Sequence, residues 1–125
     1  MFVAASFGYL IPARLLAQFN SLCALNVHPS LLPKYRGAAP IQWAIINGDK
    51  STGVSVQELS VGKFDRGGIL GSATVDIPPH STFTTLEPIL ANKGASLLLS
   101  LLSDMPIKEA STCVALRVCS HVHPL

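Results

Sequence analysis

The sequence predicts an α/β fold, a single sheet layered with helices, and three observations carry that expectation. Short apolar runs containing β-branched residues, bounded by glycine or proline, recur at strand length. Between them lie segments whose apolar residues return every three or four positions, the period of a half-buried helix. The order along the chain is β-α-β-α-β-β-α, the alternation of a sheet covered by helices.

Residues 2–7 (FVAASF) are expected to form a buried strand closed by Gly8. Pro12 suits a helical first turn, and residues 13–19 continue it with Leu15, Leu16 and Phe19 on one side. Residues 25–28 (LNVH) form a second strand that Pro29 stops. Residues 30–38 lack periodicity and contain two breakers, Pro33 and Gly37, so they are loop. Pro40 opens a helix in which Ile41, Ala44 and Ile45 share a face, and Asn47-Gly48 closes it. Residues 53–59 form a strand around Val54 and Val56, residues 60–67 a turn-rich loop, and residues 69–77 an extended segment ended by Pro78-Pro79. The last helix spans residues 85–102, with Leu86, Ile89, Leu90, Leu97, Leu98, Leu101 and Leu102 at helical spacing. Its start is set at Thr85 because Pro88 fits only a first turn.

With 125 residues, 49% hydrophobic and 13% charged, the chain can bury one core and is not disordered by composition. A formal charge of +2 is too small to argue for DNA binding, and Lys34 and Arg36 read as two solvated cations of one loop. No apolar stretch reaches the roughly 18 residues of a membrane span. The opening MFVAASFGYLIPARLL lacks a basic n-region, which favours a strand over a signal segment. Cys23, Cys113 and Cys119 have neither metal-like spacing nor an even number, and Cys23 is expected to be a buried thiol. His80 follows two prolines in a surface turn, and His121 and His123 lack further ligands, so no metal is expected.

The chemistry concentrates in NVHPSLLPKYRG. Side chains two apart on a strand share a face, so Asn26 and His28 point together while Leu25 and Val27 point to the other side. The polar pair lies at the carboxyl end of the strand, where open α/β sheets form ligand crevices. An amide beside an imidazole suits a reaction in which an oxyanion develops on a carbonyl carbon. Asp65, in the glycine-flanked SVGKFDRGGIL, is the candidate to orient the imidazole. Spacing alone leaves open that His28 is a satisfied strand-end histidine and Asp65 a turn former.

The string NVHPSLLPKYRGAAPIQWAIINGD, followed by TGVSVQEL and FDRGGIL, resembles the folate-dependent formyltransferases over residues 3–106. HPSLLP is shared across that family. R-G-A-A-P-I-Q-x-A-I-x-x-G-D points to the branch that acts on initiator methionyl-tRNA. The resemblance implies a Rossmann-like catalytic domain, 10-formyltetrahydrofolate as formyl donor, and the methionine amino group as acceptor, with no metal and no membrane. The alternatives are a glycinamide ribonucleotide or sugar amine as acceptor, or a truncated product without function. The family's catalytic amide, imidazole and carboxylate fall on Asn26, His28 and Asp65. Contacts to the pterin are expected from the backbone of Ser6, Phe7, Gly8, Tyr9 and Leu10 and from Val61 and Gly62. The turn of Ser30, Leu31, Leu32 and Pro33 is expected beside the active site.

Two departures from the family pattern bear on expectation. Gly62-Lys63-Phe64-Asp65 is one residue longer than the common bacterial form and resembles the mitochondrial one. The localisation implied is therefore mitochondrial, with the cytoplasm as the other possibility. The resemblance also begins partway into the catalytic domain and stops near Pro106. Residues 1–106 are thus expected to be an incomplete Rossmann-like domain lacking its first strands, and residues 107–125 an unrelated tail. Such a chain is expected to show little activity alone.

Overall fold

A computed structural model describes residues 1–5, 11–19, 23–60, 62 and 65–104. The seven elements are β1 (Phe2–Ala5), α1 (Ala13–Leu16), β2 (Ala24–His28), α2 (Pro40–Ile46), β3 (Ser51–Glu58), β4 (Ile69–Asp76) and α3 (Phe83–Asp104). Their order is the expected β-α-β-α-β-β-α. The four strands form one sheet in the order β1-β2-β3-β4. β1 and β2 are parallel and joined through α1, whereas β2–β3 and β3–β4 are antiparallel, so the sheet is mixed.

Pleating divides the sheet into two chemically different faces. Val27 lies opposite Val56, and Val54 follows two residues along on the same side. This apolar face packs under α3, where Ile41, Val54, Leu86 and Leu90 form a buried cluster with Ile45, Ala73, Val75 and Leu97 around it. Asn26 lies opposite Gln57, and His28 opposite Ser55, on the other face. That second face carries a smaller apolar cluster of Ala4, Ile11, Leu16 and Ala24 near α1. Burial on both faces explains why β3 is enclosed from Thr52 to Gln57, whereas β4 alternates between covered and exposed positions.

α3 buries Leu86, Leu90 and Gly94, a stripe with four-residue spacing. Gly94 is needed for closeness, because a Cβ there would stand 2.9 Å from Val27 Cγ1. The helix begins at Phe83, two residues before the sequence-based start. Thr82 caps it: its N–H donates to Thr85 Oγ1 at 2.9 Å, and its carbonyl accepts from Leu86 N–H at 3.0 Å. Pro88 consequently lies in the second turn and withholds a donor from the Thr84 carbonyl. Both residues are exposed, so water can take the missing donor's place.

Cys23 is buried as expected, at 4% exposure, but it is disulfide-bonded rather than a free thiol. No described helix is long and apolar enough to cross a membrane. The expected tail, with Cys113, Cys119, His121 and His123, lies outside the described residues.

Candidate active site

The polar face of β2 meets two loops, one leaving β2 and one joining β3 to β4. The first loop is fixed from below by Ser55, whose hydroxyl donates to the Ser30 carbonyl at 2.7 Å and accepts from Leu32 N–H at 3.1 Å. Ser30, fully buried, spends its own hydroxyl on the Lys34 carbonyl at 2.6 Å. Leu31 packs onto β3 at Gly53, where a Cβ would approach its Cδ2 to 2.6 Å. The Leu32-Pro33 peptide is cis, and Pro33 is exposed. The polar groups of this turn named above are satisfied internally, so it shapes the chain after His28.

Past the turn the backbone adopts the left-handed region at Tyr35 (φ 54°) and Ala39 (φ 56°), and Asp65 on the second loop does so too (φ 48°). Such conformations cost side-chain-bearing residues energy and concentrate where surrounding contacts hold them. Here the contacts are explicit. Arg36 Nε donates to the Asp65 carbonyl at 2.9 Å, and Gly37 N–H donates to Asp65 Oδ2 at 2.7 Å. The two loops are thereby closed on one another.

Asn26, His28 and Asp65 converge beneath this closure. Asn26 Nδ2 donates to Asp65 Oδ1 at 3.0 Å, and His28 Nδ1 lies 3.5 Å from the same oxygen. The side chains of His28 and Asp65 are each 7% exposed. His28 Nε2 contacts the Tyr35 carbonyl at 2.8 Å, and since a carbonyl only accepts, Nε2 carries a proton. Nδ1 faces the carboxylate. Asn26 is half-buried, and its amide has a second N–H beyond the one given to Asp65.

Sequence reasoning missed Gln57. It is 1% exposed, and its Nε2 donates to Asp65 Oδ1 at 2.7 Å, the shorter of the two amide contacts to that oxygen. The signal available was parity: in Val54-Ser-Val-Gln57 the valines pack, so Ser55 and Gln57 share the other face, which pairing with β2 makes the face of Asn26 and His28. Among residues expected to contact a cofactor, Ser6, Phe7, Gly8, Tyr9, Leu10 and Val61 lie outside the described residues. Gly62 is exposed in a turn with φ 74°.

A second polar cluster anchors the loop from outside. Asp49 Oδ2 accepts from Lys34 Nζ at 2.7 Å and from the Tyr35 hydroxyl at 2.7 Å, and Asn47 Nδ2 donates to that hydroxyl at 2.8 Å. The Lys34 hydrogen bond, then that of Tyr35, holds the Asp49 carboxyl below its ordinary value of 3.8. The same bond to Asp49 raises Lys34 above 10.5, with burial opposing it. A carboxylate with a lowered folded-state pKa stabilises the fold above its unfolded value, and that contribution is lost as pH falls through the folded value. Asp49→Asn is therefore expected to lower the melting temperature slightly at pH 7, because Lys34 is exposed and the pair is screened. Once the pH is low enough to protonate Asp49 in the folded state, wild type and variant should unfold alike, which denaturant titrations at neutral and strongly acidic pH would check.

Among the described residues no group of three or more His, Cys, Asp or Glu is arranged to hold a metal ion. An amide, an imidazole and a carboxylate thus meet over one polar face of the sheet, closed over by a loop.

The chain belongs to the formyl transferase family, whose model matches residues 1–102. The particular relatives are methionyl-tRNA formyltransferases. The mitochondrial enzyme of Mus musculus is 43% identical over 104 residues, covering 83% of this chain and 27% of that protein. The Syntrophus aciditrophicus enzyme is 46% identical over 99 residues, covering 79% of this chain and 31% of that protein. The chain thus spans about a third or less of the length of these relatives. Among solved structures, a phosphoribosylglycinamide formyltransferase from Bacillus halodurans superposes with TM-score 0.70 at 31% identity, covering 80% of this chain and 50% of that one. The Rossmann-like α/β class expected from the sequence is therefore the fold of this family.

Proposed function

We propose that this chain carries the formyl-transfer centre of a methionyl-tRNA formyltransferase, moving a formyl group from 10-formyltetrahydrofolate to the amino group of initiator methionyl-tRNA. The observation that carries the reading is the meeting of Asn26, His28 and Asp65 around one carboxylate oxygen within the family-matched stretch. The tRNA acceptor is preferred to a glycinamide ribonucleotide or sugar amine because the relatives at 43–46% identity carry the tRNA enzyme's name, whereas the solved glycinamide enzyme stands at 31%. The mammalian relatives and the longer Asp65 loop support a mitochondrial setting, and the bacterial relatives support a cytoplasmic one.

The donor set fits a folate formyl donor: neutral amide hydrogens and an imidazole for the formyl oxygen, and a carboxylate for the attacking amine. The folate supplies an activated one-carbon group whose carbonyl carbon the amine can attack. The second N–H of Asn26 donates to the oxygen that becomes negative as the C–N bond forms. Protonated His28, held by Asp65, adds positive charge at the same place. Asp65 takes a proton from the amine nitrogen, and His28, directly or through water, delivers one to the departing nitrogen as its bond to carbon breaks. The balance is one N-formyl amine formed, one N–H gained by the folate, and no net proton released. For His28 to reach the reacting atoms its Nε2 bond to Tyr35 must open.

A single-turnover assay at excess protein, with formyl donor and either charged initiator tRNA, glycinamide ribonucleotide or a sugar amine, tests the reading. Label is expected in the tRNA arm. Label only in a small-amine arm, or in none, sinks it. His28→Ala is expected to lower the single-turnover rate about 10²- to 10⁴-fold, the range for removing a general acid–base group.

A further inference from the structure

We propose that Gln57 is a positioning residue for Asp65, its amide clamping the carboxylate in the orientation that faces His28. Asp65 sits on a loop in a left-handed backbone conformation, which by itself does not fix the carboxylate's rotation. Gln57 Nε2 meets Oδ1 at 2.7 Å from the floor of the sheet, while Gly37 N–H meets Oδ2 at 2.7 Å from the covering loop. The carboxylate is thus gripped at both oxygens from opposite sides. The amide's orientation is set by chemistry, because turning it would face its oxygen at a group that only accepts.

A second observation separates this role from ordinary core packing. Gln57 is 1% exposed, and its Oε1 has no hydrogen-bond partner among the described residues. Burying an unmet acceptor is unfavourable, so packing alone would not call for an amide here. The β3–β4 register also shifts here: Val56 pairs with Gly71 and Gln57 with Ile69, so the extra residue, Leu70, lies on β4 and β3 keeps the alternation that turns Gln57 to the polar face. A residue that buries an unmet acceptor while holding the central carboxylate is placed for the site, as local conflicts at functional positions lead one to expect.

The importance of the clamp for catalysis rests on the formyl-transfer reading, but its existence does not, and the test has an arm for each. In the full chain, the backbone amide resonance of Gly37 reports on the Asp65 carboxylate it donates to. Gln57→Met and Gln57→Leu, both unable to donate, are expected to move that resonance upfield while signals from α3 stay in place. Gln57→Met gives up one hydrogen bond to the carboxylate and one unmet acceptor together, so it should fold and melt within a few degrees of wild type. An unmoved Gly37 resonance, or a Gln57→Met chain that fails to fold, overturns the proposal. Where wild type transfers formyl, Gln57→Met should slow single turnover about 10- to 100-fold, as a small misplacement does, without changing the half-saturating donor concentration. An unchanged rate with a moved resonance would also overturn it. A wild type without transfer sinks the formyl-transfer reading alone, leaving the resonance and melting arms to decide on the clamp.

Discussion

Replacing Asp65 by asparagine is expected to abolish formyl transfer and to destabilise the chain by about 2–3 kcal/mol, the largest combined effect at any single position. The carboxylate accepts from Asn26 and Gln57 at Oδ1 and from Gly37 at Oδ2, so donors converge on both of its oxygens. An asparagine has one oxygen and one NH₂. Turned one way, its NH₂ faces the two side-chain amides; turned the other, it faces the Gly37 N–H. Either orientation leaves a buried donor against a donor. The loss of the carboxylate also removes the group that orients His28 and takes the amine proton, so the rate should fall about 10³-fold or more. Melting curves and single-turnover transfer measured on one preparation check both halves. An Asp65→Asn chain with wild-type stability would show that the carboxylate is not the hub described above.

Gly67→Ala is expected to cost about 3 kcal/mol or more, although the residue touches no substrate. A Cβ at Gly67 would collide with the carbonyl oxygen of Glu58 and lie 2.6 Å from its carbonyl carbon. Those atoms are backbone, so no side chain can swing aside. The strands must part where Glu58 N–H donates to the Gly68 carbonyl at 2.9 Å, next to Gln57 and just after Asp65. Gly68 supplies the control, because a Cβ there meets only the Glu58 side chain, at 3.7 Å and beyond. Gly68→Ala should melt close to wild type, and equal melting of the two variants would refute the close-packing account.

These two positions differ in how they announce themselves. Asp65 stands out in the sequence as a carboxylate between glycines. Gly67 looks interchangeable with Gly68 until the backbone opposite each is known. The start of α3 shows a similar limit. Pro88 argues for a late start on its own, whereas Thr82 and Thr85, satisfying one another's backbone needs, move the boundary two residues earlier. Local capping won over the proline's preference because the withheld donor falls on the exposed side.

What the sequence by itself determined was short-range. The order of strands and helices, the shared face of Asn26 and His28, the turn after Pro29 and the apolar stripe of α3 follow from periods of two and 3.6 residues and from proline and glycine. What only the tertiary structure decided was long-range: the pairing of Asn26 with Gln57 across β2 and β3, the shift of register beside it, and the closing of residues 35–37 onto Asp65. The physical reason is that a strand's own pattern says which face a side chain takes but not which neighbour stands opposite. Register and loop closure are settled by packing energy summed over residues far apart in the chain, as the separation of 39 between Asn26 and Asp65 illustrates.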